Sequence, residues 1–289
     1  VLLKVEESMK YWLNVGFLDV ASLGEVARVA EDLGYEGVSF PDHLFLPTSL
    51  ESPYPYSRDG SIVWPVEAPW PDAWAAISAL ALATTRLRFT TTIYIAPLRD
   101  VFSLAKSVST AAAFGPGRVA CGLGTGWMRE EFDIVGQEFD TRGTRLDEMI
   151  EVLSLLFTGE PVSFEGTHVS MPEMVMRPAA PGVPVLIGGT GAPALRRAAR
   201  ADGWIAPNGD LEQTSISLAK IEAERERLGR SELPFEVLAT GVPRDATNAD
   251  VLNEIGVDGL VLPVVTLAAE HDLASLCAGM ERFANRWIH

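Results

Sequence analysis

From Tyr11 onward two hydrophobic periods alternate along the chain. Short runs in which nearly every residue is apolar, as in strands buried on both faces, give way to longer stretches with apolar residues three and four apart, as in helices with one buried face. The strand-like runs are Tyr11 to Leu18, Gly37 to Leu44, Leu87 to Pro97, Val119 to Gly126, Val183 to Gly189, Gly203 to Asn208, Phe235 to Gly241 and Gly259 to Val264. Each is followed by a helical pattern. The first helix opens on Ser22-Leu23-Gly24-Glu25, a capping-box spacing, and Gly34 closes it. Asp72 and Asp100 read as caps of the next two, and Thr144-x-x-Asp147 as the opening of a strong amphipathic helix carrying Leu146, Met149, Leu153 and Leu156. Eight strands, each followed by a helix, predict one α/β domain, a (β/α)8 barrel over residues 9–289. Two segments interrupt the rhythm. A proline-rich and aromatic loop, Phe45 to Pro71, follows the second strand, and Val162 to Met171 reads as a small hairpin before the fifth. A loop as long as the first is usually a lid or a binding loop. Residues 1–8, VLLKVEES, precede the first methionine, Met9, and are set aside as an upstream extension or a cloning remnant.

A length of 289 residues with 47% hydrophobic positions suits one such barrel. The net charge of −16 argues against nucleic acid or an anionic membrane as partner, although a local basic pocket remains open. Cys121 and Cys277 form no C-x-x-C pair, no metal-ligand spacing is visible, and no apolar run reaches the 18 or so residues that span a bilayer. The cytoplasm is the expected location.

In barrels of this kind the chemistry sits at the C-terminal ends of the strands. Of the four histidines only His43 falls there, next to Asp42. It can exchange a proton near neutral pH or hydrogen-bond a bound ring; the plainer reading is that the pair pins the strand end to its loop. In VACGLGTG the glycines at 122, 124 and 126 recur at every second position, on one side of a strand. They either bare the backbone to a flat ligand or make room for neighbouring strands. The spacing is G-x-G-x-G, so it is not the dinucleotide fingerprint. Gly188-Gly189-Thr190-Gly191, at a strand-to-helix turn, leaves N–H groups for an anion such as phosphate, or simply turns tightly. No nucleophile elbow, Walker loop or H-E-x-x-H motif is present.

At GVSFPDHL, RLRFTTTIYIAPLRDVFSLAKSVST, GRVACGLGTGWMREEFDIVG and VPVLIGGTGAPALRRAARADGWIAP the chain resembles the bacterial luciferase-like monooxygenase superfamily, and within it the coenzyme F420-dependent oxidoreductases. The resemblance implies a cofactor ring at the barrel mouth and a homodimer. It implies that Asp42 and His43 are the strand-two pair, with His43 catalytic beside the reactive carbon of the deazaflavin. It further implies that Thr92-Ile93 is a strand-three bulge, often a non-prolyl cis peptide behind the ring, that Gly124 and Gly126 form the floor, and that Gly188, Gly189, Thr190 and Gly191 hold the phosphate. The expected activity is hydride transfer between F420 and a small organic substrate. The alternatives are an FMN-dependent monooxygenase using oxygen and a barrel that binds a small ligand without turnover. One departure stands out: Trp127 follows the glycines where sugar-phosphate dehydrogenases of this branch carry a glutamate.

Overall fold

The computed structural model describes residues 8–207, 210–241, 243–270 and 272–289. The set-aside N-terminal segment apart from Ser8, and Asn208 at the end of the sixth strand, lie outside the described residues, as does His271. The order of elements is β1 (Lys10–Asn14), α1 (Leu23–Asp32), β2 (Gly37–Phe40), α2 (Ala73–Ala83), β3 (Arg88–Thr91), β4 (Tyr94–Ile95), α3 (Val101–Phe114) and β5 (Cys121–Gly124). There follow α4 (Arg129–Ile134), α5 (Arg142–Phe157), the hairpin β6 (Val162–Glu165) and β7 (Ser170–Met174), β8 (Val185–Gly188), α6 (Ala192–Arg200), β9 (Gly203–Ala206), α7 (Leu211–Arg227), β10 (Glu236–Thr240), α8 (Ala249–Glu254), β11 (Gly259–Pro263) and α9 (Leu273–Trp287).

Nine strands pair in parallel in the order β3-β2-β1-β11-β10-β9-β8-β5-β4. The two ends of that order, β3 and β4, are halves of the single third strand expected from the sequence, separated at Thr92-Ile93. A bridge between Phe89 and Val119 ties β3 to the segment entering β5, so the sheet closes into a barrel of eight strand positions. One core fills the layer between sheet and helices. A second, inside the barrel, stacks Trp12, Ala120, Leu186, Ile205, Leu238 and Val261, with Ile93 packed against it. At the N-terminal end Arg88 lies 5.0 Å over the Trp12 ring and bonds Glu236 and Glu36, closing that end. The open end is therefore the one that carries the C-termini of the strands. No described helix is long and apolar enough to cross a membrane.

Helix starts follow local chemistry with two corrections. Asp72, Asp100, Asp210 and Asp272 each accept a backbone N–H in the first turn of the helix they precede. At α1, however, the Ser22 side chain makes no cap bond. Asp19 instead accepts from Ala21 N and starts a short 3-10 turn that runs into the helix, while Glu25 pairs with Arg28 at 2.6 Å. At α5 the helix already begins at Arg142, so Thr144 sits inside it and bonds back to the Thr141 carbonyl.

Candidate active site

The break in the third strand shapes the floor of the open end. The Thr92-Ile93 peptide is cis, as the resemblance implies. Thr92 N still donates to Phe40 O at 2.8 Å, and Thr92 Oγ1 accepts from Asn14 Nδ2 and donates to Ser39 Oγ, each at 3.0 Å. Ile93 therefore leaves the ladder and turns its side chain into the barrel. A Cβ on Gly124 or on Gly188 would come within 2.4 Å of Ile93 carbon atoms, and one on Gly122 within 1.8 Å of the Thr91 carbonyl oxygen. These glycines make room for protein, the second of the two readings left open by their spacing. Ile93, and not bare main chain, forms the apolar platform. Gly126 does not continue the face expected of it: β5 has ended, and at φ 76° it occupies the left-handed region, backed by Ile95 and Phe132.

Asp42 and His43, just past β2, are both buried. Asp42 takes both arms of Arg99, at 2.5 and 2.8 Å, and the Ile95 N–H at 2.8 Å. Burial holds its carboxyl above its ordinary value, with Arg99 and that N–H offsetting only part of the rise. For Arg99 burial acts downward and Asp42 outweighs it, holding the guanidinium above its ordinary value. The two groups meet as a bidentate ion pair. It ties the second strand to the segment after the third, so Asp42 acts on the site through position.

His43 differs. Its Nδ1 lies 2.7 Å from Oε2 of Glu131, a residue of α4 with no exposed surface, and the other Glu131 oxygen accepts from Leu44 N at 2.8 Å. With Glu131 a carboxylate, which can only accept, Nδ1 carries the hydrogen and Nε2 is left as an acceptor. Among the described residues nothing bonds Nε2.

Aromatic rings surround this imidazole. Trp70 meets it edge-on at 4.9 Å between centroids, Trp64 at 5.7 Å and Trp127 edge-on at 5.8 Å. Tyr54 packs against Trp64 and Trp127, and Phe17, at φ 70°, against Trp64 and Trp70. Burial pushes the Tyr54 hydroxyl up to about 12, with Tyr56 adding to it, so it stays neutral. Three of these rings belong to the long loop, which is thus a lid. Glu130 fastens it: Glu51 N and Ser52 N both donate to its Oε1, at 2.6 and 2.9 Å, and Arg129 N donates to Ser52 Oγ. Burial acts to raise the Glu130 carboxyl, but the hydrogen bonds from Ser52 and Glu51 prevail and hold it at about 2. Consecutive glutamates of α4 thus grip the lid loop and the histidine at its root.

Across the mouth, β8 ends in the turn from Gly188 to Gly191 at the head of α6. Gly189 takes φ 110° and its carbonyl accepts from Trp204 Nε1 at 2.8 Å, while Thr190 and Gly191 are exposed. No side chain caps α6, so its first N–H groups remain available to an anion. The arginines of the region have different fates. Arg197 is engaged by Asp147 and the Gly143 carbonyl, Arg129 by Asp140, and Arg142 lies 3.6 Å from the Phe139 ring and donates to Gly126 O. Arg196 is exposed on α6.

The structure thus brings Asp42, His43, Thr92, Ile93, Gly124 and Gly126 to one mouth, with Gly188 joined to them through Ile93. Gly189, Thr190 and Gly191 continue from there onto an exposed helix end. Sequence reasoning missed Glu131. The available signal was a pair of carboxylates in the first turn after the glycine strand, but nothing local says that one of them reaches a residue 88 positions away. A cavity of about 690 Å³ lies elsewhere, between Lys10, Glu36, Asp250 and Trp287. It opens at the N-terminal ends of the strands, where barrels of this kind do not place their chemistry. Cys121 is no nucleophile, because burial pushes its thiol far up.

A parallel barrel closed around a broken third strand, with helices outside it, is the fold shared with luciferase-like enzymes. The model of the luciferase-like monooxygenases matches residues 9–255, and the chain belongs to that family. Among its relatives, the uncharacterized protein Rv0940c of Mycobacterium tuberculosis is 36% identical over 213 residues, 73% of this chain and 74% of that protein. The F420-dependent glucose-6-phosphate dehydrogenase of Nakamurella multipartita is 31% identical over 218 residues, 73% of this chain and 59% of that enzyme. Monooxygenase RslO1 from Streptomyces bottropensis superposes with a TM-score of 0.80 at 18% identity, covering 97% of this chain and 99% of its own, and so shares the fold.

Proposed function

We propose that this chain is an F420-dependent oxidoreductase that passes hydride between the deazaflavin and a small organic substrate, with His43 moving the accompanying proton. The observation that carries the reading is the His43–Glu131 pair, which engages Nδ1 and leaves Nε2 unbonded among the described residues. The relationship to an F420-dependent dehydrogenase supports the choice of cofactor.

The residues present fit such a cofactor. Ile93 offers a flat apolar support, and the uncapped N-terminus of α6, with exposed Thr190 and Gly191, suits a phosphate. Arg196 and Arg142 would offset part of the negative field of a chain with net charge −16. When bound there, the deazaflavin supplies hydride chemistry. The protein then has three tasks. His43 Nε2 takes the substrate's hydroxyl proton in oxidation, or returns it in reduction, and Glu131 steadies the imidazolium that forms. The lid rings exclude water from that transfer. The Asp42–Arg99 pair fixes the backbone on which His43 is mounted.

The test is a titration of the purified chain with F420 and with FMN, followed by the same titration and turnover in His43→Ala. F420 is expected to bind more tightly, and the variant to bind it but lose turnover by about two to four orders of magnitude. Binding of FMN alone rejects the cofactor, and full turnover in the variant rejects the role of His43.

A further inference from the structure

A second cavity, of about 270 Å³, lies where the hairpin β6–β7 meets the barrel. Three separate stretches line it: the start of α3 from Arg99 onward, α5 with the loop before it, and the hairpin from His168. The volume equals the liquid share of about nine waters and falls just under the 300 Å³ or so at which small-molecule pockets begin. The hairpin wall is fixed in place. The Glu148 carboxylate of α5 accepts from the N–H groups of Thr167, His168 and Val169 at 2.8, 2.7 and 2.9 Å, and the His168 ring lies 2.9 Å from Thr144 Oγ1. A guest therefore finds the cavity preformed and has little chain to order.

The charge along this lining is unbalanced. Arg145 uses two of its five N–H groups on Gln137 Oε1 and the Glu138 carbonyl, and among the described residues no carboxylate bonds it. Burial holds its guanidinium below its ordinary value, with the charge of Glu138 offsetting only part of the fall. The other charged groups of the lining are answered. Arg99 has both arms on Asp42, and Asp100 accepts from Ser103 N at 2.8 Å, at the positive end of the helix it caps. Arg118 and Arg225 also lack a carboxylate, but each is turned to main-chain carbonyls, two for Arg118 and two for Arg225. Arg145 differs in lining a cavity. The same cavity has apolar walls in Val101, Phe102, Met149 and Val169, and Phe102 is 37% exposed, unusually open for a large apolar side chain in a cleft.

We propose that this cavity is a binding site for a small organic carboxylate, whose oxygens pair with the guanidinium of Arg145 and whose apolar body lies against Phe102, Met149 and Val169. A charged donor calls for an ionised acceptor, and the bond between them is stronger than one between neutral groups. The apolar walls call for a body that inorganic anions lack. The site is distinct from the barrel mouth, and nothing in it depends on the cofactor proposed there.

The experiment is isothermal titration calorimetry on the full chain without cofactor, in a buffer free of phosphate and carboxylates, using benzoate, its neutral isostere benzamide, and inorganic phosphate. NMR shifts of the His168 ring place the binding. Benzoate should bind about tenfold or more tightly than benzamide, the usual contribution of a charge-assisted hydrogen bond, should bind more tightly than phosphate, and should move the His168 signals. Arg145→Gln should bring benzoate to the level of benzamide. Phe102→Ala, a surface change that leaves the Arg145 contacts intact, should weaken benzoate about fivefold through lost apolar contact. Should Arg145→Gln lose its thermal midpoint, the benzamide comparison and Phe102→Ala decide the matter on folded protein. Equal affinities for benzoate and benzamide, tighter binding of phosphate than of benzoate, benzoate binding that leaves His168 unmoved, or no benzoate binding at millimolar concentration each overturns the inference. Because F420 takes no part in these titrations, their failure leaves the cofactor reading untouched.

Discussion

Replacing Glu131 by Gln exchanges one carboxylate oxygen for an NH2 group and should invert the chemistry of His43. In the native chain both Glu131 oxygens accept, one from Leu44 N at 2.8 Å and one at 2.7 Å from His43 Nδ1. A glutamine has a single acceptor. The Leu44 N–H is a main-chain donor that cannot reverse, so the amide oxygen goes to it and the NH2 group faces Nδ1. Nδ1 must then accept, and the ring hydrogen moves to Nε2. The count of hydrogen bonds is conserved, so folding should weaken by no more than about 1 kcal/mol. Function should not be spared. An imidazole whose Nε2 already carries hydrogen cannot take the substrate proton, and loss of a general base is worth roughly two to four orders of magnitude, or about 3 to 5 kcal/mol of barrier. In the direction of reduction the Nε2–H remains a donor, so the loss there should be smaller. Stopped-flow measurement of hydride transfer in both directions gives the asymmetry, and nitrogen NMR shifts of His43 report the tautomer without any cofactor. Oxidation in Glu131→Gln within threefold of the native rate would refute the reasoning, as would a native Nε2 found protonated in the neutral ring.

Further expectations follow from the same contacts. Gly122→Ala should cost about 3 kcal/mol or more in urea unfolding, because its Cβ meets the fixed Thr91 carbonyl at 1.8 Å; Gly124→Ala meets only the movable Ile93 side chain and should cost about 1 to 3 kcal/mol. Equal losses would show that strand spacing, and not Ile93, sets the second glycine. Arg99→Met should destabilise by about 3 to 5 kcal/mol by stranding the buried Asp42 carboxylate, with partial recovery in the double variant Asp42→Asn/Arg99→Met. No recovery would mean that the guanidinium acts chiefly by packing on Tyr94. For Glu130 the carboxyl is lowered in the folded state from 4.5 to about 2, so its contribution to lid closure is complete above pH 4.5 and is lost as pH falls through about 2. Solvent screens this half-buried group, which reduces the contribution to about 1 kcal/mol. Pepsin cleavage within residues 45–71 should therefore accelerate about fivefold between pH 4.5 and 2 beyond pepsin's own pH dependence on an unfolded peptide of the same sequence, and Glu130→Ala should abolish the difference.

The architecture was legible because a barrel repeats one local unit. Apolar strands, aspartate caps and glycine stops recur, and each is decided by its immediate neighbours. One source of error is that apolarity reports burial and not hydrogen bonding. Val15 and Leu18 extend the first apolar run past Asn14 because they are buried under the mouth, although the ladder has ended. Likewise Ser22 and Thr144 carry cap chemistry that the chain does not use, since Asp19 and the segment at Thr141 start those helices earlier. The aromatic lid was visible as composition, and His43 as the one histidine at a strand end.

What the sequence could not express is which residue completes His43. The pairing with Glu131 crosses 88 residues and depends on the curvature that brings the root of the second loop beside the first turn of α4. Because the third strand is broken, Ile93 drops onto Gly124 and Gly188, and a face of glycines that reads as a ligand's floor is covered by an isoleucine. The exposed chemistry is therefore displaced from the strand to the loops above it. There α4 touches both parts of the candidate site: Glu131 bonds the histidine, and its neighbour Glu130 holds the loop that covers it. Because two adjacent carboxylates of one short helix make these contacts, a variant that loosens the lid should also broaden the tautomer balance of His43 if the proposed proton transfer is coupled to closure. Glu130→Ala examined by the same nitrogen shifts gives the measure, and an imidazole indistinguishable from the native one would separate the two functions.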